Sequence, residues 1–288
     1  MQQKRWLFLA ILPSLVLVLA IAIYPIGYAF YLSMTDKIMQ NPVTHFVGLH
    51  NYLTNFTSGQ FWTFMSTTAQ FVLISVALEL LIGFGLALLL NEKIRARTFF
   101  RVVILIPLMI PPVTAALMWK VMLEASTGPV NYLLHMVGLP GPAWLAEKAT
   151  ALPSVIAIDV WVYTPFVALL LLAGLQSIPQ TMYEAAAVDG AGTWKTFRMV
   201  TLPMLSPVIW LVLLFRFALA INSADTIFAT TSGGPNIATT TLNFAAFQNL
   251  FKFLRVGYAA SLGITVFFII YFTTNALISK TRHMWRGA

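Results

Sequence analysis

The sequence predicts an all-α integral membrane protein with six transmembrane helices. Three observations carry that prediction. Of 288 residues, 59% are hydrophobic and only 9% are charged, against about 25% charged in an ordinary soluble domain. Six apolar stretches reach the ~20 residues that a helix needs to cross ~30 Å of hydrocarbon. The basic residues, which give a net charge of +8, are segregated between the loops on alternate sides of those stretches. A soluble enzyme, a disordered chain and a secreted disulfide scaffold are excluded together, the last because the chain has no cysteine.

The first span covers about residues 7–33. Lys4 and Arg5 precede it and Ala20-Ile21-Ala22 imitates a cleavage site, but the apolar run continues through Tyr31. That is longer than the 7–15-residue core of a signal peptide, so the span is read as uncleaved. The other spans are Thr67–Leu90, Val102–Leu123, Ser154–Leu175, Leu205–Phe228 and Val256–Ile278. Pro107, Pro111 and Pro112 lie in the third, which is expected to kink or break; membrane helices tolerate proline where neighbours satisfy the freed carbonyls.

Orientation follows from lysine and arginine in the loops. One side holds Lys4, Arg5, Lys93, Arg95, Arg97, Arg101, Lys195, Arg198, Lys280, Arg282 and Arg286; the other holds Lys37, Lys148, Lys252 and Arg255. Eleven against four places both termini in the cytoplasm. The positive charge thus reports topology, and no nucleic-acid partner is expected. The chain reads as one membrane domain over 1–288, with a core of about 66–280 and the 7–33 span added before it.

One cytoplasmic stretch, Gln176–Met204, is too polar to span. Pro179 opens a short helix through Glu184-Ala185-Ala186-Ala187, and Gly190 offers the positive φ of a helix stop. Thr193 is expected to cap a second short helix over Trp194–Val200, which Pro203 ends. Two short helices meeting at a glycine form a rigid knob; the competing reading is an amphipathic helix lying on the membrane surface.

Here the sequence resembles the permeases of ABC importers. Glu184-Ala185-Ala186, then three residues, Gly190, nine residues, and Val200-Thr201-Leu202-Pro203 resembles their cytoplasmic EAA loop, with Asp189, Ala191 and Phe197 in the same pattern. Phe46-Val47-Gly48-Leu49-His50-Asn51-Tyr52, Thr231-Ser232-Gly233-Gly234-Pro235 with Ala238-Thr239, and Gly257-Tyr258-Ala259-Ala260-Ser261 are similar to segments of the carbohydrate-uptake type, its F-type half above all. The resemblance implies the type I importer permease fold and a place in the cell (inner) membrane. It implies a second homologous permease, two ATPase subunits, a secreted or periplasmic solute-binding protein facing Ser232, Gly233, Gly234 and Pro235, and a sugar substrate. It makes Glu184, Ala185, Ala186, Asp189, Gly190, Ala191, Phe197, Leu202 and Pro203 the ATPase-coupling residues.

The chain lacks a nucleotide site of its own. Its nearest imitation of a P-loop, Gly190-Ala191-Gly192-Thr193-Trp194-Lys195-Thr196, has no glycine before the lysine and no strand leading in. ATP and Mg are therefore expected on the partner ATPase, and this chain is expected to be non-catalytic and to bind no cofactor. His45, His50, His135 and His283 lack ligand spacing, so no metal site is expected.

Ionisable groups inside spans are functional candidates, since an unpaired charge at mid-bilayer costs at least about 2.5 kcal/mol. Glu79 and Arg216 sit near the middle of their spans; Asp159 and Asp225 lie nearer the outer ends. Arg216, Ala220 and Ser223 share one helical face, with Asn222 and Asp225 on the next. With Trp161 and Tyr163 of the fourth span, these residues make the expected substrate pathway. The alternative for Glu79 and Arg216 is a packing or gating pair, and for the aromatics an interfacial belt. A competing function, a secondary transporter or channel, should show internal repeats or matched broken helices, which the sequence does not.

Overall fold

A computed structural model describes residues 11–92 and 95–285. Among them the chain is helical and turn-connected, with one isolated antiparallel bridge between Thr35 and Phe46. In order, the helices are α1 (Ile11–Ser33), α2 (His50–Thr57), α3 (Gly59–Asn91), α4 (Arg97–Met109), α5 (Pro112–Met122), α6 (Pro129–Met136), α7 (Lys148–Ser177), α8 (Gln180–Val188), α9 (Thr193–Ile221), α10 (Ala224–Thr230), α11 (Leu242–Phe251) and α12 (Val256–Trp285). Lys4, Arg5, Lys93, Arg286 and the first residues of the predicted first span lie outside the described residues.

Five of these helices, α1, α3, α7, α9 and α12, are long and apolar enough to span a membrane. The third predicted span, Val102–Leu123, is broken: α4 and α5 meet at 94°. Its cause is local. Ile110 precedes a proline and is pushed into extended backbone, φ −84° and ψ 128°. Pro111 and Pro112 then supply no N–H to carry a helix across the join.

Prolines are handled differently in α1 and α9. Each helix has a wide turn just before one: over Leu19–Ile23 ahead of Pro25, where the Tyr24 N–H reaches Leu19 O, and over Phe197–Thr201 ahead of Pro203, where the Leu202 N–H reaches Phe197 O. The extra residue in the turn absorbs the missing donor and the clash that a proline brings. Pro203 therefore does not end a short helix, as predicted; α9 runs through it without interruption. Thr193 does not cap that helix either. Gly192 occupies the capping position, and no side-chain cap bond forms. The fifth predicted span is displaced accordingly: α9 starts at Thr193 and stops at Ile221, and the residues from Ala224 to Phe228 belong to α10.

The chain divides into two compact units, residues 1–62 with 245–268, and 63–244 with 269–288. In the first, the turn after α1 is held by buried polar groups. Asn51 Nδ2 donates to Ser33 O and Thr35 O at 2.8 and 2.9 Å, Tyr52 Oη and Ser33 Oγ are 2.6 Å apart, and Asn55 Nδ2 donates to Ser261 Oγ at 3.0 Å. Gly257 packs there because a Cβ would lie 2.0 Å from Thr35 O. Two of the segments singled out in the sequence, 46–52 and 257–261, are thus joined by this packing.

In the second unit α7 is the central helix. Two thirds of its apolar window is buried, against about one third for α3 and α9. Glycines let neighbours approach: a Cβ on Gly83 of α3 would come within 2.8 Å of Val167, and one on Gly174 of α7 within 2.6 Å of Leu205. Ala87, Leu90, Val167, Leu171, Leu175, Leu205 and Val212 form the core around these contacts.

Candidate functional site

Two constellations are candidates for function, and α9 reaches both. The first is the polar loop over residues 176–204. Helix α8 ends in a complete Schellman motif: Gly190 has φ +70°, its N–H bonds to Ala187 O, and the Ala191 N–H reaches back to Ala186 O at 2.9 Å. A Cβ on Gly190 would meet nothing within 4 Å, so the positive φ alone demands glycine. Ala186 is buried, whereas Glu184, Ala185, Asp189 and Gly190 are exposed.

The loop is rooted at three points. The Phe197 ring sits edge-on to Phe84 of α3 at 5.8 Å, with Trp194 stacked on its other side. Thr201 Oγ1 donates to Tyr183 Oη at 3.4 Å. Gln176, with its amide oxygen turned toward them, accepts from Arg97 and Arg101 at 2.8 Å each. Val188 (87% exposed), Trp194 (73%) and Met199 (65%) project outward. Exposed apolar side chains on the same loop as the exposed Glu184 are the kind of surface that marks an interaction site. Leu202 and Pro203 are also exposed, on the helix itself.

The second constellation is ionic and fully buried. Arg216 of α9 donates through Nε and Nη2 to both carboxylate oxygens of Glu79 on α3, the Nη2 contact at 2.6 Å. The same Nη2 reaches Asp159 Oδ2 of α7 at 2.9 Å, and Ser223 Oγ approaches Asp159 Oδ1 at 3.4 Å. The Tyr163 ring lies under the guanidinium, 4.1 Å from Cζ. Glu79, Asp159 and Arg216 have no exposed surface, and Arg216 Nη1 is buried without a partner. One guanidinium therefore pins three spanning helices together.

The sequence paired Glu79 with Arg216 and set Asp159 apart. The missed signal was that Asp159 and Tyr163 are four residues apart, one face of one helix. Ala220, buried one turn beyond Arg216, completes the wall. Two predicted pathway residues stand elsewhere. Trp161 points away from the cluster and meets Trp119 edge-on at 5.5 Å. Asn222 caps α9, bonding to Ala218 O. Asp225 accepts from the Thr226 N–H in the first turn of α10 and lies within electrostatic reach of Asp159 and Tyr163.

The loop over Ser232-Gly233-Gly234-Pro235 is braced from within. Thr240 Oγ1 donates to Gly233 O and Thr239 Oγ1 to Gly234 O, and a Cβ on Gly233 would lie 2.5 Å from Thr240 Oγ1. Its tip is rigid, with Ser232 exposed.

A multi-helix apolar protein with a braced polar loop and a buried charge cluster is consistent with a membrane permease. The chain belongs to the family of binding-protein-dependent transport system inner membrane components, whose profile matches residues 79–282. It is 38% identical over 263 residues to the trehalose/maltose transport system permease protein MalF of Thermococcus litoralis, covering 91% of this chain and 89% of that one. It is 34% identical to the trehalose transport system permease protein SugA of Mycobacterium tuberculosis, over 93% and 85% of the two chains. A chain in the crystal structure of a bacterial alginate ABC transporter, in complex with an alginate pentasaccharide-bound periplasmic protein, superposes with a TM-score of 0.82 at 22% identity. That match covers 98% of this chain and 96% of that one. The fold is therefore that of an ABC importer permease, and the secondary-transporter and channel readings fall.

Proposed function

We propose that this chain is one permease subunit of an ATP-driven importer for a di- or oligosaccharide or a related glycoside or polyol. It works beside one homologous permease, two ATPase subunits and a solute-binding protein. One observation carries the proposal. Helix α9 runs unbroken from Thr193, at the end of the cytoplasmic loop, to Ile221, beyond Arg216. Its 29 residues make a rod about 43 Å long. A displacement of the loop is therefore a displacement of Arg216, and through it of Glu79 and Asp159.

In this reading α8 seats in a cleft of the ATPase, which alone holds ATP and Mg. Small Ala185 allows close approach, Glu184 offers a carboxylate to a basic partner, and the Gly190 stop fixes the angle between α8 and α9. When two ATPase subunits close on ATP, the loops are drawn together and α9 carries the spans outward-open. Reversing a 1:99 equilibrium takes about 5.5 kcal/mol, which the ATPase must supply. The sugar passes beside Tyr163, Ala220 and Ser223, with Asn222 and Asp225 toward the outer mouth, and the Ser232–Pro235 loop meets the binding protein. The sugar class rests on the relatives' names, and the cytoplasmic termini on the lysine and arginine count.

The test is at the loop. Gly190→Pro cannot adopt positive φ, and Glu184→Lys inverts the charge offered to the cleft. Both are expected to lose the ATPase on purification, or to lose binding-protein-stimulated hydrolysis in nanodiscs, while Glu184→Gln keeps most of it. Normal stimulated hydrolysis and uptake in both Gly190→Pro and Glu184→Lys would favour the membrane-surface reading of 176–204.

A further inference from the structure

On the face of α7 turned away from the ion cluster, two cavities lie end to end. The one nearer the start of α7 has a volume of about 390 Å³ and is lined by three tryptophans, Trp119, Trp144 and Trp161, with Leu123, Pro153 and Ala157. The second, of about 490 Å³, continues between α3, α4 and α7, past Leu78, Ile82, Ile104 and Pro107 to Thr164. Ala157 and Trp161 line both. Ala157 is exposed, so the crevice opens sideways there. From Thr150 to Pro165 it follows α7 for about 22 Å, somewhat more than half the hydrocarbon thickness.

Its chemistry selects an occupant. Thr150 and Ser154 line the first cavity, but their hydroxyls donate to the carbonyls of Ala143, Glu147 and Trp144. Two lining polar atoms are left without partners, Trp119 Nε1 and Thr164 Oγ1. A χ1 rotation would offer Thr164 the Trp161 carbonyl, which Pro165 leaves without its helical donor. That leaves one indole N–H, Trp119 Nε1, which is itself buried and reaches an otherwise apolar crevice only if the indole turns toward it. A saccharide, with a hydroxyl on most carbons, would bury many unpaired groups there, each at the cost of its lost hydration. A hydrocarbon chain that begins with one ester carbonyl fits. At the mouth, next to lining residues in the chain, stand exposed Lys120, Glu124, Glu147 and Lys148. The two carboxylates accept from the Ala125 and Ala143 N–H groups. Two cations and two anions match a headgroup that carries both a phosphate and an amine.

We propose that this crevice is a binding site for one acyl chain of a zwitterionic phospholipid, entering beside Ala157, with its ester carbonyl on Trp119 Nε1. The lipid wedges α7 against α3 and the broken α4–α5 pair, on the side of α7 opposite Arg216. The site stands on the geometry of this chain and is independent of which solute is carried.

The test uses the full chain, purified with its co-expressed partner subunits and examined by native mass spectrometry after exposure to phosphatidylethanolamine. The wild type is expected to retain one lipid per copy of this chain. Ala157→Phe, which fills the opening, is expected to lose it. Trp119→Phe, which keeps an aromatic ring and removes the indole N–H, should weaken retention by about 3–10-fold. Assembly and stimulated ATP hydrolysis report folding in both variants. Undiminished lipid in an assembled Ala157→Phe complex would overturn the proposal, as would displacement of the lipid by sugar alone. So would a cross-link from Ala157→Cys, a unique cysteine in this chain, to the second permease, because the crevice would then be an interface.

Discussion

Arg216 shows what a single residue decides. Its charge sits among side chains with no exposed surface, so it persists only because Glu79 and Asp159 accept from it. Removing one partner of a buried ion pair costs about 3–5 kcal/mol, whereas replacing the whole set by apolar groups is often neutral. Arg216→Met alone is therefore expected to lower thermal stability in detergent by an amount in that range. The triple variant with Glu79→Leu and Asp159→Leu should recover most of it. If the cluster acts only as a pin, uptake returns with stability; if it lies on the solute path, the triple variant is stable and inactive. Asp36 behaves oppositely because it is outside the membrane. The His45 backbone N–H, 2.7 Å from Oδ1, and then the His45 ring hold its carboxyl below the usual value of 3.8. A carboxyl lowered on folding contributes stability above its unfolded pKa and loses it as pH falls through the folded value. The Asp36–His45 turn is thus expected to stay closed at neutral pH and to open only below about pH 4, as exchange of the His45 amide would report. His45→Ala should keep most of the shift, because the larger contribution is the backbone N–H. The sequence offered the Glu79–Arg216 pair but neither Asp159 as its third member nor the Asp36–His45 contact. Glu79, Asp159 and Arg216 stood out as intramembrane charges, but which carboxylate faces the guanidinium depends on the rotation of three helices, and α7 alone carries the signal that joins Asp159 to Tyr163.

Elements were read better than their ends. Proline positions announced breaks, yet the same residue type had several outcomes, and Pro153 and Pro165 sit inside α7 with no break at all. Pro111 and Pro112 in succession turned the chain through 94°, while Pro25 and Pro203 were carried inside helices by a wide turn. Two consecutive prolines remove donors on adjacent positions, and one extra residue in a turn makes up for only a single lost donor. Gly257 marks a similar limit. Its segment was visible as a pattern, but the reason for glycine, a Cβ position 2.0 Å from Thr35 O, needs a partner more than 200 residues away. Gly257→Ala is expected to destabilise by about 1–3 kcal/mol through overpacking and to loosen the turn after α1, read as faster exchange of the Gly257 amide, which bonds to Lys37 O. Gly190→Ala should act differently: with open space around it, only the left-handed backbone is strained, for about 1–2 kcal/mol, and the fold should persist.

At the scale of the whole molecule, the absence of cysteine makes topology directly measurable. Arg95→Cys and Lys252→Cys, each exposed, are expected to react with an impermeant maleimide from opposite sides, Lys252→Cys in intact cells and Arg95→Cys only after permeabilisation. Equal labelling from one side would overturn the orientation read from the loops. Hydropathy and charge by themselves determined that the chain crosses a membrane, about where, and which residues form a helix-stop-helix loop at Gly190. These are local properties: a span needs only enough apolar length, and a Schellman stop only a residue that accepts positive φ. Tertiary structure alone decided that α9 is one rod from that loop to Arg216, that Arg216 binds two carboxylates from two other helices, and that Trp161 faces a crevice on the opposite side of α7. A helix seen from its sequence has a period but no neighbours. When nearly all of its faces are apolar, as they are in a bilayer, nothing in the period says which face meets protein and which meets lipid. Packing settles that, through the close approaches that Gly83 and Gly174 allow and the buried charges that a low-dielectric interior obliges to pair.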